Sequence, residues 1–331
     1  MKLSDFDYSL PKELIAQHPL EERSSARLLV LNRRTGETIH SRFDRIADFI
    51  HADDTIVLNN TRVFKARIIG SKKTGGKVEI LLIRDEGAGQ WEAMISHTRR
   101  LREGMAIHFD ERTHATVKRL TTGSRGILEF NDDAMKIAEQ HGKVPLPHYI
   151  RREAVQEDVD DYQTVFARNT GSIAAPTAGL HFTEKLLDEI RTKGTTVSEI
   201  TLHIGPGTFK PIRSEQIEKH CMDAEFFEIS ETALAAMRGA KKVFAVGTSV
   251  CRALETYART DEKSAWADLF IYPEFKFQLV NSLITNFHLP RSTPLLLVCA
   301  FAGRDSVFKA YREAIRQKYR FLSYGDAMLI L

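Results

Sequence analysis

The sequence predicts an α/β domain with a small antiparallel β-barrel inserted into it. Short alternating or β-branched runs separated by turn residues fill residues 66–150, a pattern typical of small antiparallel sandwiches and barrels. From Val197 onwards, apolar strands alternate with helical patterns, as in a sheet with parallel strands and helices on its faces. We therefore expect residues 1–65 plus 151–331 to form the α/β domain and residues 66–150 to form the barrel.

The elements follow in order along the chain. Asp54–Asn60 supplies a strand before the insert, and Thr183 is a suitable N-cap for a helix that stops at Gly194. The strands of the insert are predicted at KARIIGSKK, KVEILLIRD, QWEAMIS, GMAIHF, ATVKRL and GILEF. The later elements are predicted as strand VSEITLHI, helices from Ser214 and Ser230, strand KVFAV, helix SVCRALETYA, strands DLFIY and LLLVCAF, and helix VFKAYREAIRQKY.

Composition excludes several classes of protein. Of 331 residues, 43% are hydrophobic and 27% charged, which excludes a disordered chain, collagen and a coiled coil. The longest apolar stretch, Pro294–Ala302, is shorter than a membrane helix requires, and the N-terminus lacks the apolar region of a signal peptide. Cys221, Cys251 and Cys299 have no CxxC spacing, which excludes a disulfide scaffold. We expect a soluble, cytoplasmic protein with no membrane partner.

Positive charge is concentrated in one segment of the chain. The net charge is only +3, but residues 62–129 contain 14 Lys and Arg against 8 Asp and Glu. A surplus of basic residues suggests a polyanionic partner, although a basic face exposed only to solvent would give the same surplus.

The common enzyme motifs are absent from this sequence. There is no P-loop, and Gly205-Pro206-Gly207 lacks the third glycine of a dinucleotide fingerprint. The zinc-protease, serine-hydrolase and deaminase signatures are missing too. His181, His203, His220 and His288 lack the spacing of paired metal ligands, so we expect no metal site.

Five segments combine small residues, hydroxyls and often a histidine or asparagine beside an apolar strand. Such residues at strand ends are typical of ligand sites in α/β sheets. The segments are GSIAAPTAGLHFT (171–183), LHIGPGTF (202–209), VGTS (246–249), TNFHLPRST (285–293) and SYGDAM (323–328). Each glycine or histidine taken alone is more often a turn or a structural hydrogen-bonding residue, so the segments carry weight only together.

Taken together, the motifs resemble the S-adenosylmethionine:tRNA ribosyltransferase-isomerase family over nearly the whole chain. AAPTAGLHFT and TNFHLP are the most specific of them, and LNNTRV, TGGKVEILL, GKVPLPHYI and YRFLSYGDAMLIL occur in the same order. The resemblance implies an α/β domain with an inserted six-stranded β-barrel. It also implies a monomer and no metal or redox cofactor, since S-adenosylmethionine is a consumed substrate.

The resemblance implies an unusual use of S-adenosylmethionine as a ribosyl donor. The ribosyl part is transferred to the aminomethyl group of a deazaguanine at the tRNA wobble position. Rearrangement then gives epoxyqueuosine, with release of adenine and methionine. The neighbouring sulfonium acidifies a ribose carbon, so this chemistry needs a positioned base and assistance to the leaving adenine.

Site residues follow from matching this chemistry to the motifs. The predicted catalytic residues are His181, His203, His288 and Glu225, with the choice of base left open among the histidines. The predicted S-adenosylmethionine-binding residues are Thr177, Gly205, Gly207, Gly247, Thr248, Ser249, Asn286 and Asp326. Among them, Gly247–Ser249 would hold the carboxylate, and Asp326 or Glu225 the ammonium.

The tRNA is expected to contact the basic barrel. The predicted tRNA-binding residues are Arg62, Lys72, Lys73, Lys77, Arg99, Arg100 and Arg102. Tyr149 or Phe182 could stack on an unstacked base of the anticodon loop.

The chain departs from the family pattern at Asp223, where a histidine is usual, while His220 and Glu225 are kept. A mechanism that needs the second histidine would therefore not apply here. Two other functions remain to be compared: a tRNA-binding protein of the same fold without turnover, and a methyltransferase, which the missing glycine fingerprint disfavours.

Overall fold

The computed structural model describes residues 1–121, 123–209, 212 and 214–331. In these ranges the strands are β1 Arg27–Leu31, β2 Thr38–Arg42, β3 Thr55–Asn59, β4 Thr61–Val63, β5 Arg67–Ser71, β6 Lys77–Gly87, β7 Gln90–Ile95, β8 Ala106–His108, β9 His114–Leu120, β10 Arg125–Phe130, β11 Gly142–Lys143, β12 Asn169–Ser172, β13 Thr196–Leu202, β14 Glu225–Glu228, β15 Val243–Val246, β16 Ser264–Ala267, β17 Ser282–Asn286 and β18 Ala327–Ile330. The α-helices are α1 Ala134–His141, α2 Asp158–Asp161, α3 Glu184–Thr192, α4 Glu231–Gly239, α5 Thr248–Thr260, α6 Thr293–Ala302 and α7 Arg304–Arg316.

The larger sheet has nine strands in the order β16-β14-β13-β3-β15-β17-β18-β1-β2 among the described residues. Its centre, β13-β3-β15-β17, is parallel, whereas β18 runs antiparallel to β17 and parallel to β1. Strands β3, β15 and β17 are buried at every position, whereas β13 is buried only over its last three residues. Separate apolar clusters cover the two faces, one containing α4 to α7 and the other α3 and the 3-10 segment Phe43–Phe49.

The barrel is antiparallel and closed, as predicted. Strands β5-β6-β7-β10-β9-β8 are paired in that order, and the Ser71–His108 pair between β5 and β8 closes the ring of six. The short β11 adds to β5 outside the ring. Alternate residues of β7 and β10 point inwards and outwards, so the barrel interior forms its own apolar core. The predicted α/β domain with a six-stranded insert is confirmed, and its boundaries at 66 and 150 stay predictions.

Three predicted elements are wrong. LLLVCAF is not a strand but most of α6, which begins with Ser292 as N-cap and is buried on every side, so no polar residue reveals the helical period. DLFIY is irregular; Leu269, Phe270 and Ile271 are apolar because they line a cavity. The helix expected from Ser214 is reduced to the 3-10 turn Ile217–Lys219, where only Ile217 is buried.

Other predicted elements are confirmed, with their capping residues. Thr183 accepts a hydrogen bond from the N–H of Leu186 at the start of α3, and Gly194 follows the end of that helix with φ of 92°. Ser230 caps α4 in the same way through the N–H of Ala233.

Candidate active site

A cavity of about 470 Å³ opens at the carboxyl ends of the central parallel strands. β15 ends at Val246 and β17 ends at Asn286, so the motif segments at the ends of these strands meet at one edge of the sheet. Ser323 lies at the same edge because β18, which runs the other way, begins there. Of the predicted site residues, the cavity wall contains Thr177, Gly247, Thr248, Ser249, Asn286 and His288. All five motif segments contribute to the cavity wall, the segment 202–209 through Ile204.

A chain of hydrogen bonds fixes the amide of Asn286 in the cavity wall. Its Oδ1 accepts from Oγ1 of Thr177 at 3.0 Å, and its Nδ2 lies 3.2 Å from Nε2 of His181. His181 itself is 5% exposed and packs on the ring of Phe43. Burial lowers the pKa of the imidazole to about 4, although a hydrogen bond with the Arg23 backbone has the opposite effect and raises the pKa. His181 is therefore neutral at pH 7 and reaches the cavity only through Asn286.

His288 lies in the cavity wall itself. Its Nε2 is 2.7 Å from Oγ1 of Thr285, and its backbone is held by the hydroxyls of Tyr8 and Tyr311. Desolvation lowers the pKa of the imidazole to about 3, so the ring is neutral at pH 7. Of the three candidate histidines, His288 is the one that both lines the cavity and is neutral.

The first turn of α5 presents free backbone donors to the cavity. Gly247 connects β15 to this helix with φ of 97° and ψ of 150°, a conformation that essentially only glycine adopts. The N–H groups of Thr248, Ser249 and Val250 have no hydrogen-bond partner within the described residues. A helix N-terminus of this kind favours an anionic group.

Aromatic hydroxyls form another part of the wall. Tyr149 shares a 2.6 Å hydrogen bond with Ser323, and its burial raises the pKa of the phenol to about 12. Tyr162 is fully buried and also lines the cavity. Tyr149 is thus placed where a base could stack on it. Phe182 is not, because it is buried in the core against Phe43.

Arg252 and Glu225 form a buried ion pair at the edge of this site. Arg252 lines the cavity and donates to the Glu225 carboxylate, which also accepts the N–H of Gly205 at 3.0 Å. Glu225 and Gly205 lie behind the wall and do not line the cavity. Arg252 therefore lies between the cavity and the Glu225 carboxylate, and the predicted roles of Glu225 in catalysis or ammonium binding stay predictions.

Three more predicted residues lie outside the cavity. The Asp326 carboxylate is occupied by the backbone N–H groups of Arg27 and Arg320 and by the Arg27 guanidinium, at 2.7 to 3.1 Å. His203 points to Oγ1 of Thr61 at 2.8 Å, and burial lowers its pKa. Gly207 packs on Asp223, whose Cβ would lie 2.5 Å from an added Cβ. These residues shape the sheet and its loops, and none of the three is brought to the cavity.

The segment 220–225 connects the cavity to the barrel. Met222 lines the cavity, and the His220 ring meets Phe270 edge-on at 5.0 Å. Asp223 accepts a 2.7 Å hydrogen bond from Arg125 of β10, which also pairs with Glu92 of the barrel. The aspartate that replaces the usual histidine therefore forms an ion pair between the barrel and the wall of the cavity.

Six of the seven predicted tRNA-binding residues cluster at one end of the barrel. Lys72, Lys73 and Lys77 lie in the β5–β6 hairpin, and the hydrogen bond from Ser96 N to Glu79 O brings the residues after β7 beside it. Arg99, Arg100 and Arg102 follow there. Arg62 is on β4, away from this end, and is exposed. None of the seven is ion-paired within the described part of the chain.

Sequence reasoning missed Arg252 as part of the site. The available signal was its spacing, since it follows Thr248 by four residues on a predicted helix and therefore shares its face. It missed Tyr162 as well, for which the sequence offers no comparable signal.

No three His, Cys, Asp or Glu side chains in the ranges given above are grouped as metal ligands would be. No described helix is long and apolar enough to cross a membrane.

Comparison with known proteins shows the family of the chain. The family model described as "Queuosine biosynthesis protein" matches residues 3–330. Proteins named S-adenosylmethionine:tRNA ribosyltransferase-isomerase from Sulfurihydrogenibium sp. and Halothermothrix orenii are 47% and 46% identical, and each alignment covers both chains completely. A crystal structure of an S-adenosylmethionine tRNA ribosyltransferase from Thermotoga maritima is 36% identical with a TM-score of 0.56, over 99% of this chain and 100% of that one. The chain belongs to the queuosine biosynthesis protein family.

Proposed function

We propose that this chain transfers and isomerises the ribosyl part of S-adenosylmethionine onto the aminomethyl-deazaguanine at the wobble position of tRNA. The products are epoxyqueuosine-tRNA, adenine and methionine. The observation that supports this most directly is the meeting of Thr177, Gly247–Ser249, Asn286 and His288 around one cavity of about 470 Å³. Such a volume lies within the usual range for a small-molecule site.

His288 is our candidate for the base that removes the ribose proton next to the sulfonium. It lines the cavity and is neutral at pH 7, so it can accept a proton without first losing one. On the substrate side, the positive sulfonium makes that proton more acidic. Thr285 orients the ring through the hydrogen bond to Nε2.

Asn286 and Thr177 are our candidates for binding the purine or ribose edge. Asn286 can both donate and accept, and its amide is held in one orientation by Thr177 and His181. In the transfer, the glycosidic C–N bond to adenine and the C–S bond to methionine break. The new C–N bond forms at the aminomethyl nitrogen. Donors held at the purine would assist the departure of adenine.

We propose that the methionine carboxylate binds at the N-terminus of α5. The unpartnered N–H groups there and the hydroxyls of Thr248 and Ser249 are suitable donors. Because substrates and products balance without added electrons, the proposal needs no redox cofactor.

The anticodon loop of the tRNA would approach from the barrel side. The unpaired basic residues at the barrel end suit the phosphate backbone, and Tyr149 suits a base that enters the cavity. We place this activity in the cytoplasm, with a monomer as the working form.

Product analysis by mass spectrometry tests the proposal. Purified protein is incubated with S-adenosylmethionine and tRNA carrying the aminomethyl-deazaguanine, with unmodified tRNA as the control. We expect adenine and methionine together with a matching mass gain on the modified nucleoside. S-adenosylhomocysteine would instead indicate methyl transfer, and salt-sensitive tRNA binding without adenine release would indicate a binding protein.

A further inference from the structure

Arg252 lies beside the backbone donors at the start of α5. It follows Thr248 by four residues and Ser249 by three, so the three residues share one face of the helix. Helical side chains lean towards the N-terminus, which directs the Arg252 side chain over the first turn. All three residues line the same cavity.

The guanidinium is buried, and its bonding is incomplete. Arg252 is 6% exposed, and its Nε has no hydrogen-bond partner in the described chain. Burial lowers its pKa to about 10, while the charges of Asp268 and Asp223 raise it, so the group is cationic at pH 7. Its acidic partner is Glu225, which the N–H of Gly205 also holds.

Arg252 lies near the end of α5 at which basic side chains are the less common choice. The N-terminus of a helix carries partial positive charge, and basic side chains are stabilising at the other end. Arg259 shows the ordinary arrangement, since it lies in the last turn of α5 and pairs with Glu255 at 2.8 Å. The buried arginine of the second turn and the three free N–H groups of the first turn face one cavity, which is an arrangement that an anion would stabilise.

We propose that Arg252 binds the carboxylate of the methionine part of S-adenosylmethionine, together with the N-terminal turn of α5, and that Glu225 is a positioning residue that orients the guanidinium. This inference rests on the proposed function. The donor carries one anionic group, its carboxylate, whereas its ammonium and sulfonium are cationic. Arginine is well suited to that group because its planar donors can bind a carboxylate bidentately.

Binding of S-adenosylmethionine and of one analogue, measured first without tRNA and then with unmodified tRNA, tests the proposal. Isothermal titration calorimetry compares S-adenosylmethionine with decarboxylated S-adenosylmethionine, which lacks only the carboxylate. We expect the wild-type protein to prefer the intact molecule, and Arg252→Gln to weaken intact-donor binding by about 10- to 100-fold with little change for the decarboxylated one. Glu225→Gln should reduce the same preference by a smaller factor.

Two further variants keep the test decisive. Arg252→Gln leaves Glu225 buried without this cation, so the double variant Arg252→Gln/Glu225→Gln, which buries no net charge, guards against loss of folding. It should lose the preference in the same way. Arg259→Gln is the matched control on the same helix and should keep the wild-type preference.

The outcomes separate the two proposals. If wild-type protein binds neither molecule, either alone or in the presence of tRNA, the proposed function fails. If it binds S-adenosylmethionine and the folded Arg252 variants keep the preference for the carboxylate, the role of Arg252 is wrong. Binding weakened in proportion for both molecules would equally contradict it, because that result describes a damaged cavity. A phosphate-binding role would appear as weakened tRNA affinity with unchanged donor discrimination, which also overturns the proposal.

Discussion

At the scale of single residues, the candidate site contains histidines that burial keeps neutral. His288 and His181 both have a pKa far below the ordinary 6.5 because desolvation disfavours the imidazolium. Histidine was predicted from its ordinary pKa near neutrality, but the structure gives a different basis for the same residue choice. The low pKa keeps each imidazole neutral at pH 7, and it also makes the imidazole a weaker base.

Replacement of His288 tests its role as the base. We expect His288→Gln to lower kcat by on the order of 10²- to 10⁴-fold, since a positioned base contributes about that much. His148→Gln is the matched control, because His148 also lines the cavity but is exposed. Single-turnover release of adenine is the measurement. Equal, small effects of the two substitutions would remove His288 from the chemistry.

The depressed pKa of His181 predicts a pH dependence of stability. A folded pKa of about 4 against 6.5 in the unfolded chain means that the unfolded state binds the proton first. The stabilisation is therefore complete above pH 6.5 and is lost as the pH falls towards 4, by up to about 3 kcal/mol. Urea unfolding of wild type and His181→Asn at several pH values measures it. The variant should show a shallower dependence between pH 4 and 6.5, and parallel curves would contradict the prediction.

At the scale of elements, the site depends on how strands pass into helices. Gly247 allows β15 to turn directly into α5 and leaves the first turn of the helix facing the cavity. The alternation of apolar and polar residues predicted the barrel strands, because each strand has one solvent-facing side and one buried side. The same method failed for α6, since a helix buried all round has no polar face to display its period.

Substitution of Gly247 tests this junction, and substitution of Gly239, which lies elsewhere, is a control with the opposite expected effect. Gly247→Ala should lower the free energy of unfolding by about 1–3 kcal/mol, because a Cβ is strained at φ of 97°. Gly239→Ala, in the last turn of α4 with open space around it, should stabilise by about 0.5–1 kcal/mol. Thermal and urea unfolding measure both. Gly247→Ala should also weaken S-adenosylmethionine binding, and a neutral effect there would mean that the junction is unimportant.

At the scale of the whole molecule, the parallel sheet explains which parts of the site could be predicted. Segments after β15 and β17 had to meet because parallel strands end at one edge, so Asn286, His288 and Gly247–Ser249 were found from motifs alone. Asp326 lies at that edge too, but its carboxylate is occupied by Arg27, a partner 299 residues away that no local pattern reveals. The pairing of Arg252 with Glu225, 27 residues away, was missed for the same reason, whereas the position of Arg252 on α5 had a local signal in its spacing.

The basic barrel end predicts a salt-dependent tRNA affinity. Lys72→Ala/Lys73→Ala should weaken tRNA binding and reduce the slope of log affinity against log salt by about 0.7–0.9 for each phosphate that these lysines neutralise in the wild-type complex. The control is Lys241→Ala/Lys242→Ala, an adjacent pair of lysines with similar exposure. These lysines precede β15 and so lie at the edge of the sheet opposite to the cavity. Fluorescence anisotropy over a salt series measures the tRNA affinity, and the control double variant should have the affinity and the salt slope of the wild type. Identical slopes for both double variants would place the tRNA elsewhere.

The position of β18 has a consequence for how the chain folds during synthesis. β1 and β2 join the rest of the nine-stranded sheet through β18, which lies between β17 and β1. The barrel strands, all between Arg67 and Lys143, pair with one another and can fold while the ribosome is still translating. The first hairpin of the sheet must wait, with the buried residues of β1 uncovered, until Ala327–Ile330 has been made. In the nascent chain, the insert therefore has the opportunity to fold before the domain that surrounds it, and the catalytic cavity is completed last.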